Sequence, residues 1–331
     1  MRRFDTALVS VVTPTLQRAD LLERTLRSVR AQTHPNVEHI VVDGGSTDRT
    51  VAILKRYSGT YNLRWISESD HGMYDAVNKG LRMAKGEIVA YLNSDDLYLP
   101  WSVEVAVEAF RRHPEADAIY GDAIRVDEIR QWIVPVFTPP FSAAAMAAYG
   151  TLLQPSVFLR RRVVDALGGF DETFAYVADL EFWLRAARRF RFIHVSEFLA
   201  VDRRHAAMLS ETRRGEMAAE DHRMRSMYRR GFASTELGRV VAHARWHWWS
   251  GRRWLALVMA TRNLAGGWVR TIDACHPSVD AWSAAKGLIP SRASRFRSTI
   301  RWRCDPLTVA SPEPADSKRS ILPTRRESPA G

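Results

Sequence analysis

Apolar and polar positions follow two rhythms along the first half of the chain. Short runs rich in β-branched residues at 8–13, 37–42, 63–66 and 87–92 predict strands buried on both faces. Between them, at 20–32, 48–57, 73–85 and 101–113, apolar residues recur at helical spacing. In the first of these helices Leu21, Leu22, Leu26 and Val29 supply the apolar positions, and Asp20 reads as the N-cap. Strand and helix in turn, joined by short links, predict an α/β fold built on a mostly parallel sheet with helices on both faces.

Beyond residue 116 the rhythm changes. Alternation over 117–136 predicts a ribbon or an antiparallel addition to the sheet. An alanine-rich stretch at 139–150 predicts a short helix, 156–159 a strand, and 161–167 a helix stopped by Gly168-Gly169. A helix over 179–189 and one or two strands over 192–201 follow, and the residues after 211 read as helical. The tail from Asp305 is rich in proline, serine and charge, a composition that does not build a core. The expected organisation is one domain over 1–210, a basic helical region over 211–304 and a disordered tail over 305–331.

Composition refines this division. Of the 331 residues 46% are hydrophobic, enough for a substantial core, and the net charge is +11. That charge is concentrated: residues 223–303 hold 16 Lys and Arg against 3 Asp and Glu, and seven of the eleven tryptophans. Two cysteines, Cys275 and Cys304, provide neither a disulfide framework nor a thiolate metal site, in keeping with a reducing compartment. The apolar run after Arg2-Arg3 is short and breaks at Pro14, so no secretory leader is expected, and no run is long enough to predict a spanning helix.

In a parallel sheet ligands bind beyond the carboxyl ends of the strands. Three of the four loops there carry carboxylates. Asn93-Ser94-Asp95-Asp96 follows a buried strand, and adjacent carboxylates repel unless they are solvated, hydrogen-bonded or neutralised by a cation. This loop reads equally as a divalent-metal site or as the cap of the next helix. Asp43-Gly44-Gly45-Ser46-Thr47-Asp48 lets backbone approach a ligand, with Asp43 placed to accept hydrogen bonds from a base or ribose. It also reads as a plain turn capped by Ser46 or Asp48. It matches neither dinucleotide-binding nor P-loop glycine spacing. In the third loop Asp75, Asn78 and Lys79 recur at helical spacing, which fits a ligand-facing surface or a simple Asp75–Lys79 ion pair. Further on, Asp179 opens a helix, where the dipole holds a carboxylate ionised as a cap or a base.

The ordered set VSVVTPTLQRADLLERTLRSVRAQTHPNVEHIVVDGGSTDRT, DHGMYDAVNKG, GEIVAYLNSDD, QPSVFLRR, LGGFDE and DLEFWLR resembles the family 2 glycosyltransferases of the GT-A fold over about residues 8–210. The resemblance implies an inverting transfer from a nucleotide-sugar, with a UDP, GDP or dTDP carrier, to a hydroxyl of a glycan or lipid-linked glycan in polysaccharide biosynthesis. It implies that Thr13, Pro14 and Asp43 line the nucleotide pocket, joined by Asp75, Asn78, Lys79, Asn93 and Ser94. It implies that Asp95 matches the last acid of the DxD motif and holds Mg2+ or Mn2+ on the diphosphate, with His205 near the metal. Asp179 matches the aspartate that deprotonates the acceptor, with Glu181 as runner-up. Two positions depart from the pattern: Asn93 replaces the first acid of DxD, and Ala178 replaces an acid that often precedes the base.

The basic, tryptophan-rich region admits three readings: a helical subdomain packed on the catalytic domain, an anionic-membrane surface, and, ranked last, a nucleic-acid surface. The expected location is cytoplasmic, at the inner face of the plasma membrane. Two other functions compete: a non-catalytic nucleotide-binding subunit or scaffold, which Asn93 and Ala178 would favour, and a nucleotidyltransferase. The latter is disfavoured because Thr13-Pro14-Thr15-Leu16-Gln17-Arg18 contains no glycine-rich phosphate loop.

Overall fold

The first strand, β1 (Val9–Thr15), is buried along its whole length and lies at the centre of the parallel part of the sheet. The structure, a computed structural model, describes residues 7–232. The rest of the basic region and the 305–331 tail lie outside the described residues. After β1 come α1 (Ala19–Arg30), β2 (Val37–Asp43), α2 (Thr50–Tyr57), β3 (Leu63–Ser67), α3 (Met73–Met83) and β4 (Ile88–Tyr91). The four strands pair in parallel in the order β3-β2-β1-β4. Side chains alternate across the pleat. Val12, Ile40 and Val42 therefore pack on α3, while Val9, Val11, Ile88 and Ala90 share a core with Val103, Ala106 and Phe110. Gly80 brings α3 close to β1: a Cβ at this position would lie 2.3 Å from Val12 Cγ1.

The second half adds β5 (Leu97–Tyr98), α4 (Ser102–Arg112), β6 (Ala118–Asp127), β7 (Trp132–Val136) and α5 (Ala143–Tyr149). A 3-10 turn (Gln154–Ser156) leads to β8 (Val157–Arg160), α6 (Arg161–Leu167), α7 (Ala178–Ala186), β9 (Phe192–Arg204), α8 (Leu209–Thr212) and α9 (Arg214–Phe232). Here the sheet becomes mixed. β8 is antiparallel to β4, β6 to β8 and β7 to β6, whereas β9 runs parallel to β6. The hairpin of β6 and β7 is the antiparallel addition expected from the alternation over 117–136. No helix among the described residues is long and apolar enough to cross a membrane.

Several elements differ from expectation. α1 starts at Ala19, and its first turn is capped across the rim, because the Ala19 N–H donates to Asp48 Oδ2 at 3.1 Å. Asp20 is not the cap; it is exposed and pairs with Arg49 at 2.9 Å. β1 continues through Pro14 to Thr15 because β4 has already ended beside Val12, leaving Pro14 with a strand neighbour on one side only. β5 has only two residues, and its pairing with Val201 and Ala200 could not be read from periodicity. β9 is a single strand that runs three residues past 201. α9 returns to the core, where Met224 and Tyr228 are buried in the cluster that holds Phe182 and Trp183.

Candidate active site

The parallel strands deliver their carboxyl ends to one rim, and β4 carries the acidic loop there. The loop closes with the Asp96 N–H donating to the Asn93 carbonyl at 3.1 Å. The Thr25 hydroxyl of α1 holds it from below, lying 2.9 Å from the carbonyl oxygens of both Ser94 and Asp96. The two carboxylates then part. Asp96 is buried and accepts the Arg203 N–H at 3.1 Å. Burial, followed by repulsion from Asp95 and Asp202, pushes its pKa well above the usual carboxylate range. Asp95 turns the other way, its Oδ2 3.0 Å from Nε2 of His205 just past the end of β9. Neutralising Asp96 thus answers the repulsion that the sequence poses. Neither acid caps α4, which starts at Ser102 after Trp101.

Asn93 is oriented by a relay. The Tyr91 carbonyl can only accept, so the Gln154 amide gives it Nε2 at 2.6 Å, which turns Gln154 Oε1 toward Asn93 Nδ2 at 3.2 Å. Asn93 Oδ1 is left buried with no hydrogen-bond partner among the described residues. Gln154 appears in the sequence only inside the QPSVFLRR run, where nothing about its side chain marks this role.

The neighbouring loops are closely tied. Asp43 is fully buried and accepts from Ser46 N at 3.0 Å, from Ser46 Oγ and from Ser67 Oγ at 2.6 Å. Thr13 turns its hydroxyl to His39 Nε2 at 2.9 Å, and His39 Nδ1 meets the Tyr61 hydroxyl at 2.8 Å. Burial lowers the His39 pKa to about 3, so this chain is neutral and structural. Thr15, register partner of Asp43, leaves its buried hydroxyl without a partner among the described residues. Gln17 has a positive φ of 53° and its amide bonds Thr47 Oγ1 and the Asp48 N–H, joining the first two loops.

Asp75 and Lys79 come together as an ion pair at 3.3 Å, and Lys79 also reaches Glu68 at 3.1 Å. The His71 N–H, followed by Lys79, lowers the Asp75 pKa. Asn78 faces elsewhere: its amide bonds Phe170 N and O, both at 2.9 Å, and Glu172 at 2.7 Å. Gly169, at φ 89°, passes so close that a Cβ would lie 2.5 Å from Asn78 Oδ1. Gly169→Ala is therefore expected to cost about 1–3 kcal/mol in urea unfolding. Gly168→Ala, at φ 76° but in open space, should cost less.

Asp179 stands in the first turn of α7, partly buried. The Tyr74 hydroxyl donates to its Oδ1 at 3.1 Å and the Leu180 N–H to the same oxygen at 2.8 Å. Loss of water on burial raises its pKa above the ordinary carboxylate value, and Asp221 adds repulsion. Tyr91 ends β4 nearby, and its pKa is driven well up by burial, then by Tyr74, Asp179 and Asp96. Glu181 is taken up by Arg185 at 2.9 Å and by the Tyr228 hydroxyl. Ala178 is fully buried, so that position presents nothing to a ligand. Among the described residues no group of three or more His, Cys, Asp or Glu is gathered to hold a metal; Asp95 and His205 form a pair.

The sequence model described as "Glycosyl transferase family 2" matches residues 10–152. An uncharacterized glycosyltransferase of Mycobacterium tuberculosis is 37% identical over 187 residues, which cover 54% of this chain and 68% of the relative. The chain belongs to glycosyl transferase family 2. This glycosyltransferase is also 29% identical to a PGL/p-HBAD biosynthesis glycosyltransferase of M. tuberculosis, over 57% of this chain and 74% of the relative. In fold it is similar to S. aureus TarS residues 1–349 bound to UDP, with a TM-score of 0.56 and 18% identity over 84% of this chain and 77% of that one. The similarity spans 43% of a longer TarS chain. The mannosyltransferase PcManGT from Pyrobaculum calidifontis, solved with GDP-Man and Mn2+, gives a TM-score of 0.53 and 22% identity over 88% of this chain and 83% of that one. The glycosyltransferase therefore has the α/β, GT-A-like architecture that the resemblance implies. Tyr74, Gln154 and Gln17 are rim residues that sequence reasoning passed over, because their roles depend on partners 105, 61 and 30 positions away.

Proposed function

We propose that this glycosyltransferase moves a sugar from a nucleoside-diphosphate sugar to a hydroxyl of a glycan or lipid-linked glycan, with inversion at the anomeric carbon. The observation that carries this reading is the Asp179 carboxylate in the first turn of α7, held on one oxygen by the Tyr74 hydroxyl and the Leu180 N–H. A carboxylate whose pKa is raised by burial is a better proton acceptor than one in water. Tyr74 and Leu180 both occupy Oδ1, so Oδ2 takes the acceptor's proton. The acceptor oxygen then bonds to the anomeric carbon from the face opposite the diphosphate, the anomeric C–O bond breaks, and the nucleoside diphosphate leaves with that electron pair. A single displacement of this kind requires no protein nucleophile.

Asp95 and His205 suit a divalent cation. The His205 Nε2 and Asp95 Oδ2 atoms meet at 3.0 Å, so the two side chains would hold a cation together at one point of the rim. A carboxylate with an imidazole would suit Mn2+ better than Mg2+, which takes oxygen ligands, and the donor's phosphates would supply further oxygens. When bound, the cation would supply Lewis-acid compensation for charge developing on the diphosphate. Asn93 and Ser94 line the same loop, and the unpartnered Oδ1 of Asn93 suits a donor hydroxyl. Thr13, Pro14, Asp43, Asp75 and Lys79 shape the adjoining nucleotide side. The lipid-linked acceptor is favoured by relatives named for PGL/p-HBAD biosynthesis.

A panel of UDP-, GDP- and dTDP-sugars, with Mg2+ or Mn2+, tests the donor reading by thermal shift and by nucleoside diphosphate release. One nucleotide should raise the Tm, since a ligand at 100 times its Kd adds about 2.7 kcal/mol to native-state stability. No shift and no release with any donor would sink the reading and favour a binding module of another kind.

A further inference from the structure

The helix that carries Asp179 satisfies only part of its first turn, through the Leu180 N–H on Asp179 Oδ1. Val177, at its N-cap, makes no side-chain capping bond, although the first turn of a helix leaves N–H groups to be satisfied. The segment leading into α7 is held by α9. The Glu220 carboxylate accepts three successive backbone N–H groups, Ala175 at 2.8 Å, Tyr176 at 2.6 Å and Val177 at 3.1 Å. Two neighbours of Glu220 on the same face of α9 grip the same segment. Glu216, one turn earlier, accepts the Tyr176 hydroxyl at 2.5 Å. Arg223 donates to the Thr173 carbonyl at 3.0 Å and lies over the Phe174 ring. Residues 216, 220 and 223 fall at i, i+4 and i+7, the spacing that aligns side chains along one helical face. The adjacent face buries Met224 and Tyr228 in the core, so the stripe is held against the 173–177 segment from behind.

We propose that Glu220 is a positioning residue for transfer: through the backbone of 175–177 it sets where the first turn of α7 begins, and thereby where Asp179 stands relative to Tyr74 and the acceptor. The inference rests on Asp179 as the base. Three charge-assisted bonds from one carboxylate fix a backbone segment more firmly than neutral bonds do. The base lies two residues beyond the last N–H in this grip. Releasing it frees the turn to shift without unfolding the sheet that carries the donor loops. A misplacement of about 1 Å at a reacting group can cost a hundredfold in rate.

The test compares full-length wild type with Glu220→Ala, Glu220→Gln, Tyr228→Phe and Asp179→Asn, well below each Tm. The assay reads nucleoside diphosphate released from UDP-N-acetylglucosamine and GDP-mannose, with an octyl glycoside supplying the hydroxyl. Glu220→Ala should lower kcat about tenfold to a hundredfold with donor KM within twofold, and should speed amide exchange at 173–180. Glu220→Gln, which keeps one accepting oxygen, should recover part of that kcat. Tyr228→Phe removes the bond to Glu181 from the same helix; it should lower the Tm and keep kcat. Wild-type kcat in Glu220→Ala, or the same kcat loss in Tyr228→Phe, would overturn the positioning role. Full activity in Asp179→Asn would instead remove the base assignment on which the role rests. Amide exchange at 173–180 that is unchanged in Glu220→Ala would also overturn the positioning role, whether or not these two donors turn over.

Discussion

Replacing Asp179 by asparagine is expected to cut transfer by about 10²- to 10⁴-fold, the usual contribution of a general base, while donor binding stays close to wild type. The amide keeps an oxygen for the Tyr74 hydroxyl and the Leu180 N–H, so the first turn of α7 survives. What is lost is the proton acceptor. The same substitution has a predictable effect on stability. The folded-state pKa of Asp179 is raised above its unfolded value, so ionisation opposes folding. This cost is absent below the unfolded pKa and fully present once the pH exceeds the folded pKa. Asp179→Asn should therefore hold or raise the Tm at neutral pH even as it removes activity. In the wild type the acid limb of the kcat/KM profile should lie above the ordinary aspartate value, because the base must lose its proton to work. A variant that loses donor binding and activity together would mark Asp179 as structural.

Asp95→Ala, or chelation of divalent cations, is expected to lower kcat/KM by at least about a hundredfold, as the loss of several kcal/mol of charge compensation at a leaving diphosphate would. Asp95 is the acid of its loop left facing His205, since Asp96 is buried and held toward its neutral form. Asp96→Asn should consequently do less harm than Asp95→Ala. Back-titration with Mg2+ or Mn2+ should restore the chelated wild type but not Asp95→Ala. Full activity in chelator would remove the metal role from Asp95 and His205.

Much of the fold is legible in the sequence because β1, β2 and β4 are buried on both faces, so they are rich in apolar β-branched residues even with Ser10, Glu38 and His39 buried among them. The same logic hides β9. Beyond Ala200 it carries Asp202, Arg203 and Arg204, yet the strand continues because these side chains are paired with Arg125, Glu128 and Glu211. A polar residue satisfied by a distant partner looks like a loop residue when read alone. The cap of α1 failed for a related reason: Asp20 has the right chemistry next to the helix, but Asp48 from the following loop reaches the Ala19 N–H first. At the rim, Asp95, Asp179 and His205 are singled out in sequence by the family resemblance, while residue type alone leaves 95 and 179 open to capping roles. How Asp95 and Asp96 divide their roles depends on burial, which spacing does not encode. Likewise the turning of Asn78 toward Phe170 depends on the path of a loop 92 positions away.

The contacts that define the rim join residues far apart along the chain. Asp95 meets His205 across 110 positions, Tyr74 meets Asp179 across 105, and Asn93 meets Gln154 across 61. The parallel strands, by contrast, lie within residues 9–91 and pair with near neighbours. During synthesis the donor-side strands therefore leave the ribosome as a nearly complete unit, while the base and the histidine are still to come. The loop closures that bring them in are the entropically demanding steps of folding. A chain cut short before α9 would lack the latch on Asp179, and one cut short before β9 would also lack the strand end that presents His205. Among the described residues, the carboxylate grip on the segment before Asp179 is thus the last part of the rim to be synthesised.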